Sequence, residues 1–268
     1  MTTAPEHYDR LLAEHYTWML GSDIHASARE QAELLDRLGV RAEADGDVAL
    51  DLGSGPGPQT LALVSLGYSS VTAVDTSQTL LDELAEHAAK AGATDAVHPV
   101  HADIRDALPR VAPPASASAI VCMGDTLTHL PGKADVSALL RGVERALRPG
   151  GHFVATYRDL TGELRGTDRF LPVRTTEDRL LTCFLEYVDD DTVMVHDLVH
   201  TLSAGQWHAR VGSYPKLRLA ADWLTDETRH AGLDIRHAAP GPRGMRVLHA
   251  VKPSAVKPGE DADAVSDG

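Results

Sequence analysis

The sequence predicts an α/β fold: a doubly wound, mostly parallel sheet with helices on both faces, carrying an inserted antiparallel β cap. Three observations predict it. Between 48 and 156, short β-branched runs alternate with helical patterns, the mark of βαβ units. The first of those runs breaks into Gly53-Ser54-Gly55-Pro56-Gly57, a turn that brings bare backbone to the mouth of a sheet. Beyond 179 the pattern changes to longer runs joined by Asp189-Asp190-Asp191 and Ser203-Ala204-Gly205, the tight polar connections of a meander.

Residues 1–47 read as a helical lid. A helix over 26–38 sets Leu34, Leu35 and Leu38 on one side, and Tyr8, Tyr16 and Trp18 crowd the segment before it in a chain that is only 4% aromatic. Residues 48–160 form the core, with strands over 48–52, 71–74, 97–101, 119–123 and 152–157 and helices over 59–66, 77–91 and 135–147. Pro58 suits the first turn of its helix, where a missing N–H costs nothing. Arg148-Pro149-Gly150-Gly151 reads as a helix stop with a cation at the C-terminal end of the dipole. The cap spans 161–218, with strands over 179–188, 192–202 and 206–214. Residues 219–252 complete the core sheet through a helix over 221–231 and two strands around Pro240-Gly241-Pro242. The remaining segment, 253–268, lacks aromatic residues and apolar periodicity and reads as a disordered tail.

Composition excludes several classes of function. The net charge is −14 and the arginines are scattered, so a nucleic-acid partner is not expected. Cys122 and Cys183 lie in apolar, strand-like runs and read as buried free thiols of a reducing compartment. No apolar run approaches the ~20 residues of a membrane span, and MTTAPEHYDR lacks the basic start and apolar core of a signal peptide. A cytoplasmic protein without a membrane partner is expected. His98 and His101, like His196 and His200, sit on strands whose alternation separates them from the neighbours a metal would need, so no metal is expected.

Three ligands compete for the glycine turn. A phosphate-cradling loop needs a lysine after its last glycine, and Gly57-Pro58-Gln59 supplies none. A dinucleotide turn wants a third glycine at 58, where Pro58 also removes a helix-terminal donor. S-adenosylmethionine carries no phosphate and wants an acid where the strand enters the turn, which Asp51 provides. The second strand ends in Asp75, at the spacing that puts a carboxylate on ribose hydroxyls. That step is shared with nicotinamide-dinucleotide binders. Asp103, ending the third strand, suits an adenine amino group.

In order and spacing, Asp51-Leu52-Gly53-Ser54-Gly55-Pro56-Gly57, Asp75, Asp103 and Arg148-Pro149-Gly150-Gly151 resemble the class I S-adenosylmethionine-dependent methyltransferases over 48 to 156. The resemblance implies a Rossmann-like class I methyltransferase sheet and S-adenosylmethionine as cofactor. It implies that the Gly53, Gly55 and Gly57 backbone approaches the methionine tail, with Asp51 below it. It further implies Asp75 and Thr76 at the ribose, Leu80 against adenine, and Asp103 with the Ile104 backbone at the adenine edge. Met123 at the end of the fourth strand and Trp18 in the lid join that expected cofactor set.

Gly124-Asp125-Thr126-Leu127-Thr128-His129-Leu130-Pro131 resembles the Gly-Asn-Ser-Phe-Ala-His-Leu-Pro loop of the glycine N-methyltransferase branch. Tyr157-Arg158-Asp159 and Ser213-Tyr214-Pro215 fall where that branch has its counterparts. The resemblance implies Tyr157, Arg158 and Tyr214 as the acceptor-binding set, Arg158 holding a carboxylate through two parallel hydrogen bonds. Asp125 departs from the branch's asparagine, which disfavours a second carboxylate nearby and argues for an amine or hydroxy acceptor larger than glycine. Asp125 or His129 is expected to accept the proton of an attacking N–H or O–H, with Tyr16 closing the pocket. His129 is read equally as a helix-entry residue bonded to backbone. The expected function is methyl transfer to nitrogen or oxygen of a small, amino-acid-like or natural-product acceptor. A cofactor-binding partner subunit without turnover and aminopropyl transfer on the same fold stay open, as does a homo-oligomer.

Overall fold

The computed structural model describes residues 2–21 and 23–254. The tail expected from 253 lies, from 255 onward, outside them. Two sheets organise the chain. The first has seven strands: β1 (Val48–Leu52), β2 (Ser70–Asp75), β3 (Val97–His101), β4 (Ala117–Cys122), β5 (Leu147–Tyr157), β10 (Asp234–Pro240) and β11 (Arg246–Val251). Their order is β10-β11-β5-β4-β1-β2-β3, with β11 antiparallel to both of its neighbours. The chain therefore reverses direction across the sheet between β1 and β4, and a crevice opens above the carboxyl ends of those two strands.

Strand alternation splits the core in two. Leu50, Leu52, Ile120 and Phe153 face α6 (Ile104–Val111) and α7 (Lys133–Ala146). Ala49, Val71, Val121 and Val154 face α3 (Ile24–Arg37) and α4 (Pro58–Ser65). Helix α5 (Gln78–Lys90) buries Leu81, Leu84 and Ala88 beside Ala73. Gly57 sits at φ +95°, and a Cβ there would stand 2.1 Å from Leu84 Cδ1. The third glycine of the turn thus lets α4 close on α5 and lies outside the ligand cavity, a correction to its expected place at the methionine tail.

The second sheet is the cap, with β6 (Phe170–Thr175), β7 (Arg179–Tyr187), β8 (Thr192–Ser203) and β9 (Gln206–Leu217) in sequential antiparallel order. Its inner face, including Leu181, Leu185, Val195 and Val199, receives the N-terminal helices α1 (Ala4–His7) and α2 (Ala13–Met19). Asp197, the inward acid of β8, meets His7 Nε2 at 2.8 Å and so fastens α1 to the cap. Between α1 and α2 the backbone widens into an i→i+5 turn over Tyr8–Leu12, closed by Ala13 N–H on the Tyr8 carbonyl. Eight residues of regular helix would leave Tyr8 and Tyr16 about 80° apart around the axis. The underwound turn closes that gap, and the two rings meet at 5.7 Å.

Arg148 corrects another expectation. It lies in β5 rather than at the end of a helix, and its guanidinium holds Asp47 at 2.7 and 3.1 Å. The pair pins the residue before β1 to the start of β5.

Candidate active site

A cavity of about 490 Å³ opens above the carboxyl ends of β1, β2 and β4. Its cofactor-side wall is built from Gly53, Gly55, Asp75, Thr76, Leu80, Asp103 and Ile104. Gly53 and Ser54 donate their N–H groups to the Val74 carbonyl, at 2.8 and 3.1 Å, which folds the turn back over β2. Asp75 then accepts from Gly55 N–H at 2.8 Å and from Ser77 N–H at 2.9 Å. Burial raises its carboxyl above the usual range in spite of these donors. A Cβ on Gly55 would come within 3.3 Å of Tyr16 Cε1, so the glycine leaves room for a ring that roofs the turn.

Asp51 sits beneath the turn, fully buried on the central strand. One oxygen accepts from Thr60 Oγ1 at 2.7 Å, and the other has no hydrogen-bond partner. Burial pushes its carboxyl up to about 7. A buried carboxylate with one bare oxygen is costly unless something positive or hydrogen-bonding completes it. Asp103 caps α6 through Arg105 N–H at 2.9 Å and pairs with the Arg105 guanidinium at 2.7 Å. That hydrogen bond, which outweighs burial, holds the Asp103 carboxyl below its ordinary value. Asp103 lines the cavity, but its carboxylate is already engaged.

The opposite wall combines the N-terminal segment, the loop after β4 and the end of β9. Tyr8, Tyr16, His129, Leu130 and Lys216 are its principal side chains. Tyr8, His129 and Tyr214 stand ring to ring, with centroids 5.4 to 5.9 Å apart. His129 is half-buried, and its buried Nε2 has no partner. Burial, then the nearby Lys216 ammonium, takes its imidazole down to about 3, so it is neutral at physiological pH. The residue borders the cavity and is not tied to backbone through Nε2.

The loop after β4 is set by an unusual backbone. Gly124 and Asp125 both have positive φ, +74° and +82°; aspartate tolerates this region better than most residues. Gly124 N–H reaches Thr156 Oγ1 at 2.8 Å, and Asp125 N–H reaches the Thr156 carbonyl at 3.0 Å. Asp125 then accepts Arg158 N–H at 2.8 Å on one oxygen and Lys216 Nζ at 2.6 Å on the other. Burial opposes its charge, yet the Lys216 ammonium and the Arg158 N–H together keep its carboxyl below the usual range. With both oxygens taken, Asp125 is the partner of Lys216 rather than a free proton acceptor.

Several sequence-predicted site residues lie elsewhere. Arg158 turns its guanidinium to the Arg243 carbonyl at 3.0 Å and does not line the cavity. Only its main-chain N–H serves the site. Tyr157 is buried in the core against α7, with 2% exposure. Trp18 packs with Leu11, Leu12 and Leu181 under the cap, 5.4 Å from the Arg174 guanidinium, and does not touch the cavity. Met123 is a core residue whose carbonyl accepts from Thr126 Oγ1 at 3.0 Å. Tyr214 stands one layer back, stacked on His7 at 4.5 Å and supporting His129. Sequence reasoning missed Lys216, Thr126 and Arg105. The replacement of the loop asparagine by Asp125 was the available signal for Lys216, because a buried carboxylate calls for a cation.

Residues 49–151 match the model of a family described as a methyltransferase domain. No curated protein sequence matches the chain. Among solved structures, the CcbJ methyltransferase from Streptomyces caelestis is similar over 85% of this chain and 90% of its own, at 23% identity and TM-score 0.70. S-adenosylmethionine-bound CalS10, an amino pentose methyltransferase from Micromonospora echinaspora, is 15% identical over 89% of this chain and 95% of its own, at TM-score 0.65. The sugar N-methyltransferase KedS8 from Streptoalloteichus is 16% identical over 91% and 92%, also at TM-score 0.65. The strand order and the glycine turn agree with the matched methyltransferase domain over residues 49–151, and the chain shares the fold of these solved methyltransferases.

Proposed function

We propose that the protein binds S-adenosylmethionine along the Gly53–Asp75 wall and passes its methyl group to a nucleophilic nitrogen of a small molecule seated between His129 and Lys216. The cavity supports the cofactor in three ways. Asp75 stands at the end of β2 with its carboxylate facing the space where ribose hydroxyls would donate to it. Leu80 and Ile104 supply an apolar slot for a flat base. Behind that lining and fully buried, Asp51 keeps one bare oxygen below the turn, where an ammonium or a bridging water would complete it. When bound, the cofactor supplies an electrophilic methyl on a positively charged sulfur, with a good leaving group already attached.

The chain's own residues have the simpler task of alignment and exclusion of water. His129 carries the reading: a neutral, half-buried imidazole that lines the cavity is a hydrogen-bond acceptor for an incoming N–H. Accepting that hydrogen fixes the nitrogen lone pair toward the cofactor wall. Tyr8 and Tyr16 face the same space and offer their rings to a passing positive charge, an attraction of ~0.5–2 kcal/mol each. Nitrogen is favoured over oxygen because, among the described residues, Asp125 beside His129 has both oxygens engaged and is not free to draw a hydroxyl proton, and because KedS8, with the same fold, is named for N-methylation. The glycine N-methyltransferase-like reading loses its carboxylate anchor, since Arg158 lies outside the cavity.

The test is incubation with methyl-labelled S-adenosylmethionine and a metabolite extract, followed by mass spectrometry. A labelled small amine together with S-adenosylhomocysteine is expected. Cofactor bound in calorimetry but never consumed would leave a binding subunit and remove this function. Asp75→Ala should weaken S-adenosylhomocysteine binding by ~1–3 kcal/mol, the cost of lost charged hydrogen bonds; an unchanged affinity would remove the ribose assignment.

A further inference from the structure

Among the described residues, every cation that lines the cavity is already held by a carboxylate. Arg105 lies between Asp103 at 2.7 Å and Asp135 at 3.1 Å. Lys216 lies 2.6 Å from Asp125, both side chains nearly buried. Arg158, the residue that would have met an acceptor carboxylate, is turned to the Arg243 carbonyl outside the cavity. Asp75 has no cation beside it, only backbone N–H donors. The wall is therefore neutral at the acceptor end and negative at the cofactor end. An acceptor that placed a carboxylate or phosphate here would lose its hydration and gain no opposite charge.

Lys216 nevertheless has hydrogen-bonding capacity to offer. An ammonium has three donors, and Asp125 takes one of them. It shares the cavity lining with the apolar Leu130, Pro131, Pro215 and Leu217 and with side-chain acceptors that include the Thr192 hydroxyl and the nearby His129. We propose that Lys216, its charge cancelled by Asp125, is a specificity-determining residue of the acceptor seat. It donates to a neutral oxygen of the acceptor, a hydroxyl or carbonyl, and the pair excludes acceptors that carry an acidic group next to the reacting atom. Asp125 acts through Lys216 as a positioning residue: it fixes the ammonium and removes its appetite for anions. The acceptor class is a hydroxylated amine rather than an amino acid, so this inference rests on the methyl-transfer reading and narrows it.

The charge balance can be tested without knowing the acceptor. Asp125→Asn keeps an acceptor oxygen for one of the two donors and removes the negative charge, leaving Lys216 as an uncompensated cation. Calorimetry with inorganic phosphate, on protein saturated with S-adenosylhomocysteine, should show a site in Asp125→Asn at least tenfold tighter than anything in the wild type. The site should vanish in Asp125→Asn combined with Lys216→Met. Wild-type protein that binds phosphate as tightly as Asp125→Asn would overturn the proposal, as would a variant site that survives Lys216→Met. If Asp125→Asn does not fold, Lys216→Met alone decides. With the acceptor from the labelling experiment, its acceptor KM should rise about tenfold while kcat and S-adenosylhomocysteine affinity stay within twofold. A fall in kcat without a rise in KM would sink the assignment. Failure of the wild type to bind S-adenosylhomocysteine at all would instead count against the methyl-transfer reading, so the two failures are distinguishable.

Discussion

Asp51→Asn should make the ligand-free protein more resistant to heat as pH rises, while weakening its hold on the cofactor. The carboxyl of Asp51 lies on the middle strand of the sheet between β2 and β4, fully buried, with one oxygen bare. Burial lifts it from 3.8 to about 7, a difference worth about 4 kcal/mol in the balance between folded and unfolded chain. The sign follows from its direction. Below pH 4 the group is protonated in both states and costs nothing. Between about pH 4 and pH 7 the unfolded chain ionises it freely and the folded chain resists, so wild-type stability drains away over that window and levels off above it. An asparagine does not titrate. Whatever fixed penalty its amide incurs is the same at every pH, so the change in the difference between the two proteins isolates the ionisation.

Thermal unfolding of both proteins at pH 4 and pH 8 should therefore show the variant gaining by up to ~4 kcal/mol between the two conditions. At roughly 2–4 °C per kcal/mol for a chain of this size, that is a relative Tm gain of order 10 °C. The measurement needs protein free of cofactor, since ligand binding to the folded state would mask it by mass action. S-adenosylhomocysteine affinity should fall in the same variant, because the neutral amide can no longer attract an ammonium from below the turn. Tm curves that run parallel from pH 4 to pH 8 would refute the claim that a strained carboxylate is kept under the glycine turn for the ligand's sake.

Three other outcomes follow from the same geometry. Gly57→Ala should cost about 2–4 kcal/mol in urea unfolding, from a residue forced to φ +95° and a Cβ driven against Leu84; a loss below 0.5 kcal/mol would show that the turn relaxes freely. Arg158→Ala should leave the acceptor's KM within a factor of two, since its guanidinium faces the Arg243 carbonyl and its N–H survives the change; a tenfold rise would restore it as an anchor. His129 should impose no acid limb on kcat near pH 6.5, because its folded value is about 3. Stability should instead fall as pH drops from about 6.5 toward about 3, where the unfolded chain takes up a proton that the folded chain refuses. A His129→Asn variant whose stability fell just as steeply would place that loss elsewhere.

The parts legible in the sequence are those where local chemistry and tertiary structure agree. Strands β1 and β3 begin and end where β-branched runs and turn residues place them, because each pairs in parallel with β2 and is bounded by a glycine turn or a helix cap. Helix α6 was hidden by Pro109, which sits inside it and argues against a helix on propensity alone. Strand β6 was hidden by Pro172 and by its position at the edge of the cap, where an exposed strand has no clean alternation. That Asp75, Leu80 and Ile104 share one cavity wall was readable because each lies at or just beyond a strand end. Trp18 and Arg158 were misplaced for a different reason. Each sits within a few residues of the site in sequence, and the turn of the backbone that takes its side chain away is fixed by packing partners, Leu181 and Arg243, far along the chain.

Asp125 shows what a single sequence can and cannot disclose about specificity. Its charge at a position where the resembling loop has an amide was visible from the start, and it argues against an acidic acceptor. Its role was not visible, because a carboxylate reads as a base when its partner is unknown. The partner lies 91 residues away on a strand of the cap, where a lone lysine ordinarily reads as a solvated charge. Only the fold brings the two to 2.6 Å and buries both. The same contact clips the core loop to the cap, so the residue that tunes acceptor choice also joins the two sheets. That coupling explains why the cap is inserted after β5: its last strand delivers a cation to the mouth of β4, and neither sheet alone holds a complete acceptor seat.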